Sequence, residues 1–107
     1  MILYNVTVSI DESIESEWLT WMKDIHIPEV METGCFKENK ICRILAEEEG
    51  GKAYSIQYFA PDMETYIRYQ TEFAPELQKS HSTKYAGRFA AFRTLLEVVH
   101  ASEQLGN

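Results

Sequence analysis

The hydrophobic period of this chain switches from two to 3.6 and back, twice over. That alternation restricts its fold more than any single motif does. ILYNVTVSI, residues 2–10, puts Ile2, Tyr4, Val6, Val8 and Ile10 on one face and Leu3, Asn5, Thr7 and Ser9 on the other. Such a pattern belongs to a strand covered on one side. Asp11 then offers an N-cap oxygen, and Ile14, Trp18, Trp21, Met22 and Ile25 follow at helical spacing. Pro28 lacks an N–H, which predicts a helix end near residues 25–27, with a further short turn closed by Gly34. Residues 35–47 read as extended, Glu48 to Gly51 as a turn, and AYSIQYF, residues 53–59, as the returning arm of a hairpin. Asp62 caps a second helix with a stripe through Met63, Tyr66, Ile67, Gln70, Phe73, Ala74 and Leu77. Pro75 divides that helix, and the polar run after Gln78 is expected to fray into a loop. AAFRTLLEVV, residues 90–99, is the last strand.

The order β-α-β-β-α-β predicts an α+β, ferredoxin-like antiparallel sheet with helices on one face. Residues 1–100 form one domain in this reading, and 101–107 a loose polar tail. The face away from the helices would carry Leu3, Asn5, Thr7, Ser9, Ser55, Gln57, Arg93 and Glu97, with Ile41, Arg43 and Leu45 grouped in the second strand. A solvated face is one account. The other is a homodimer through this open face, a dimeric α/β barrel with Leu3, Ile41, Leu45 and Leu95 as dry contacts.

Charge narrows the partners. Seventeen acidic against ten basic residues give a net charge of −7, and no basic run appears, which argues against nucleic acid. No segment approaches the ~20 apolar residues of a membrane span, and MILYNVTVSID does not read as an export signal. Cys35 and Cys42, placed in one extended strand, lie too far apart to bridge. A cytoplasmic protein with reduced thiols is the expectation.

The runs WLTWMKDIHIPEVMETGCF, ICRILAEEEGG and FAAFRTLLEV, in that order after ILYNVTVSIDE, resemble the small bacterial proteins grouped as domain of unknown function 4286. The resemblance spans Ile2 to about Val99, and W-x-x-W-M-K-x-x-H-I-P is its specific part. It implies membership of the dimeric α/β barrel superfamily, which holds cofactor-independent monooxygenases, small isomerases and stress-response proteins. It carries over no catalytic residues.

Chemistry has one candidate location. His26 stands near the end of the first helix and His81 late in the second or just beyond it. If both helices follow parallel central strands, their C-terminal ends coincide and the two rings approach one another. Trp21, Tyr66, Tyr69 and Gln70 would then line a ligand pocket beside them. His26, His81 and Arg93 are the candidates for catalysis: a histidine as general base, with Arg93 or Tyr66 steadying an anion. Glu29 would complete a two-histidine, one-carboxylate set, but no ligand spacing supports a metal, and no cofactor is expected. Two functions stay open at this point. One is a homodimeric small-molecule-binding or interaction domain; the other is a cofactor-independent oxygenase or isomerase.

Overall fold

The computed structural model describes residues 1–45 and 51–102. Strand β1 (Ile2–Asp11) leads through a 3-10 turn (Glu12–Ile14) into α1 (Glu15–Trp21), a π turn (Met22–His26) and α2 (Ile27–Glu32). Strands β2 (Glu38–Arg43) and β3 (Gly51–Ala60) follow, then α3 (Met63–Glu72), α4 (Ala74–Lys84) and β4 (Phe89–Glu97). The sheet order is β2-β3-β1-β4, and every neighbouring pair is antiparallel. This is the ferredoxin-like α+β arrangement that the alternation of periods implies. Among the described residues no helix is long and apolar enough to cross a membrane.

The caps fall where the sequence puts them. Asp11 accepts from the Ser13 amide at 2.8 Å, Asp62 accepts from the Thr65 amide at 2.8 Å, and Gly34 turns the chain out of α2 at φ +76°. The turn expected at Glu48 to Gly51 falls mostly outside the described residues. Trp18, Val30, Ile10, Ile56 and Cys35 fill the core between the sheet and the helices, each at most 1% exposed. Cys35 lies in the loop before β2 rather than in the strand.

Other expectations also need correction. The central strands β1 and β3 are antiparallel, so the two helical arms run opposite ways and their ends do not coincide. Pro28 does not end the first helix; it sits in the first turn of α2. The Ile27 amide donates five residues back, to the Met22 carbonyl, so the missing proline donor falls where the ladder already changes register. The run after Gln78 stays helical through Lys84. Finally, β4 faces the other way: Val6 pairs with Arg93, Tyr4 with Leu95 and Ile2 with Glu97, which puts Arg93, Leu95 and Glu97 on the helix side.

The same register logic places Ile41 and Arg43 on the helix side, opposite Ile56 and Tyr54, while Leu45 lies beyond the end of β2. A one-residue change of register exchanges the two faces of a strand, so alternation alone does not settle them. The open face therefore carries Leu3, Phe59, Phe92 and Leu96 around a hydrogen-bonded group of Asn5, Thr7, Ser55 and Gln57.

Candidate functional site

Three positions four residues apart, Met22, His26 and Val30, face the sheet from the first helical arm. In an unbroken α-helix each four-residue step overshoots by about 40°, so a fourth position, Trp18, would be turned by roughly 120° from Val30. The wider π turn over Met22–His26 takes up part of that drift, and Trp18, Met22, His26 and Val30 are all buried. His81 reaches the same place from α4. Neither histidine sits at a free helix end: the first arm runs past His26 to Glu32, and α4 runs past His81 to Lys84. The two antiparallel arms bring the rings together there, with centroids 5.8 Å apart.

The rings border a pocket of about 50 Å³ between the helices and the inner faces of β1, β3 and β4. Its polar lining comes from His26, His81, Gln78, Ser82 and Arg93, together with the phenols of Tyr4, Tyr58 and Tyr69. Aliphatic walls come from Val6, Val8, Ile56 and Leu77. The volume suits several waters or one compact organic molecule.

The two histidines are chemically unequal. Trp18, completely buried, donates its indole N–H to His81 Nε2 at 2.9 Å. An imidazole nitrogen that accepts carries no proton, so neutral His81 holds its proton on Nδ1 and serves as a donor. His26 has no such fixing partner. It stacks on Trp21, with centroids 5.0 Å apart and planes 23° apart, and its Nδ1 is buried without a hydrogen bond. Burial pushes the pKa of His26 down to about 4. Burial does the same to His81, also to about 4, helped by the neighbouring His26 and Arg93. Both rings are therefore neutral near pH 7. Across the pocket, Arg93 donates from Nε to the Tyr4 hydroxyl at 3.1 Å. Burial raises Tyr58 and Tyr69 well above the ordinary phenol value, so both are protonated donors at neutral pH.

Of the residues singled out from sequence, His26, His81, Arg93 and Tyr69 line the pocket. The other three stand outside its lining. Trp21 backs both imidazoles, 5.8 Å from His81. Tyr66 packs on Tyr4 at 5.3 Å and donates to Gln70 Oε1 at 3.2 Å, and Gln70 is on the exposed side of α3. Glu29 does not join the histidines; it borders a groove with Glu32, Glu72 and Glu76. Among the described residues no three His, Cys, Asp or Glu side chains are placed to hold one metal ion. A helix that frays after Gln78 gives no reason to place Gln78 and Ser82 at the site, whereas the observed α4 does. Continued through Lys84, the spacing Leu77, Gln78, His81, Ser82 puts all four on one side of α4.

The family described as Domain of unknown function (DUF4286) matches residues 1–99. No curated protein matches the chain. Among solved structures it is similar to a dimeric ferredoxin-like protein from an uncultured marine organism, at 14% identity and TM-score 0.71 over 95% of this chain and 98% of that one. It is similar to an EthD-family protein from Bacillus halodurans, at 16% identity and TM-score 0.63 over 92% and 100%. It is also similar to SnoaB, a cofactor-independent oxygenase from Streptomyces nogalater, at 10% identity and TM-score 0.65 over 95% and 97%. Likeness at such identities establishes a common fold.

Proposed function

We propose that this chain, which belongs to the DUF4286 family, works as a homodimer whose helix–sheet pocket binds a compact, weakly acidic organic molecule and takes up its proton at His26. The observation that carries this reading is the inequality of the two imidazoles. His81 is committed as a donor by Trp18, whereas His26 is neutral, buried and without a hydrogen bond. A donor and an acceptor side by side suit an enol or phenol, which offers one O–H and gains charge when it loses that proton. Burial alone makes His26 a weak base, so the uptake depends on the anion formed beside it, which offsets the charge of the imidazolium and is itself held by Arg93 and the protonated tyrosines. The same asymmetry favours a second reading, an isomerase or cofactor-independent oxygenase with His26 as general base. Analogy of fold to an oxygenase adds little to it.

Acetylacetone is a suitable probe, because its enol is compact and its ionisation is visible in the ultraviolet. At a pH where the free compound is un-ionised, wild-type protein is expected to raise the enolate absorbance in a saturable way, and His26→Phe to abolish that rise. No saturable change with wild type overturns the reading.

The dimer is supported by the exposed apolar groups on the open sheet face, where Phe92 is 63% and Leu96 43% exposed. One of the similar structures is described as dimeric. Sedimentation of wild type at micromolar concentration is expected to give twice the chain mass, and Phe92→Asp to give the monomer. A wild-type monomer refutes the assembly.

A further inference from the structure

Among the described residues, Arg93 is the one charged side chain in the pocket lining at neutral pH, and the proton-uptake reading gives it only a general part in holding the anion. Its Nε is occupied by the Tyr4 hydroxyl, which fixes the guanidinium at the pocket lining. Among the described residues no carboxylate pairs with it, although the chain has seventeen acids for ten Lys and Arg. Arginine carries five N–H donors in a planar fork matched to a carboxylate, and the single bond to Tyr4 leaves the two Nη groups for that role. Its pocket neighbours His26 and His81 are uncharged at neutral pH, so Arg93 makes this lining positive within an acidic molecule. A fixed cation, a fixed neutral donor and a free acceptor thus border a space of about 50 Å³.

We infer that the ligand of this pocket is a compact 2-oxo carboxylate, its carboxylate on the Nη groups of Arg93, its keto oxygen on His81 Nδ1–H, and its acidic C–H toward His26. The assignment rests on the reading of His26 as proton acceptor and adds the charge and class of the molecule. The chemistry balances without a co-reactant. The C–H proton moves to the His26 imidazole, and its electron pair becomes the C=C bond of an enolate. The negative charge then gathers on the keto oxygen, where His81 donates to it. Return of a proton to carbon restores the acid.

Pyruvate and pyruvamide separate charge from shape, since they have the same number of heavy atoms and differ in the carboxylate. Each is titrated into wild-type protein while the histidine ring signals are followed by NMR, beside the acetylacetone measurement. Wild type is expected to bind pyruvate at least tenfold more tightly than pyruvamide. Arg93→Met should erase that preference, and Arg93→Lys should keep part of it, which guards against a merely structural loss. Equal binding of the two probes, or a preference that survives Arg93→Met, overturns the inference. If acetylacetone is still ionised in that case, the proton-uptake reading stands and only the carboxylate assignment falls. If none of the three probes binds, both fall.

Discussion

At pH 4.5 the protein is expected to be about 4–5 kcal/mol less stable than at pH 7.5, with most of the loss coming from His26 and His81. The folded state holds both imidazoles near pKa 4, against an ordinary value of 6.5. Below pH 6.5 the unfolded chain takes up two protons that the folded chain refuses, so stability drains away as pH falls from about 6.5 to about 4. Below that range the folded protein also binds the protons, and these two residues add no further loss. Each histidine accounts for about 2–2.5 kcal/mol at pH 4.5, of the size that burying an imidazole this deeply implies. Asp11 and Asp62, held below the usual carboxylate range chiefly by hydrogen bonds to Ser13 and Thr65 respectively, act in a lower window. Urea unfolding at fixed protein concentration, at pH 7.5, 5.5 and 4.5, measures the slope. His26→Phe should remove about half of it. His81→Gln, which still accepts from Trp18, should remove about half as well. A flat profile in wild type would mean that water reaches both rings freely and that the pocket is not the desolvated site argued above.

The architecture was legible because it depends on period. ILYNVTVSI and AYSIQYF alternate, Asp11 and Asp62 cap, and these signals are local. The faces of β2 and β4 were not legible. FAAFRTLLEV and ICRIL hold apolar residues at both odd and even positions, so nothing in the strand itself chooses between the register that puts Arg93 on the open face and the one that puts it on the helix side. Long-range pairing of Val6 with Arg93 makes that choice. The site was partly legible in the same sense. His26 and His81 stood out as histidines beside apolar stripes, yet the route that joins them was misread. Parallel central strands predict coincident helix ends, whereas the arms are antiparallel and bring the two rings together short of those ends. The π turn that aims His26 has no sequence marker beyond four-residue spacing from Trp18 to Val30. Tyr4 and Tyr58 belong to the core, and they also line the cavity, because the pocket is a gap in the core and not a cleft beside it.

Trp18 ties these levels together, and its replacement is expected to have the largest effect of any single side chain. The residue is completely buried and packs on Tyr54 at 5.1 Å and on His81 at 6.4 Å. Trp18→Ala leaves a cavity and should cost about 3–5 kcal/mol in urea unfolding at pH 7.5. Trp18→Phe is the more informative change. It keeps an aromatic ring in the core and deletes the one N–H that binds His81 Nε2. A hydrogen bond to the neutral ring opposes its protonation, so losing that bond should raise the His81 pKa from its low value. It should also free His81 to exchange tautomers, with nitrogen chemical shifts moving toward an average of the two forms. His26, 5.8 Å away and not bonded to Trp18, should change little. Nitrogen-detected titration of the two rings in wild type and Trp18→Phe makes the comparison. An unchanged His81 tautomer would show that packing by Phe89, 4.4 Å away, and Tyr85 fixes the ring without the indole. The donor role given to His81, and with it the division of labour between the two histidines, would then lose its basis.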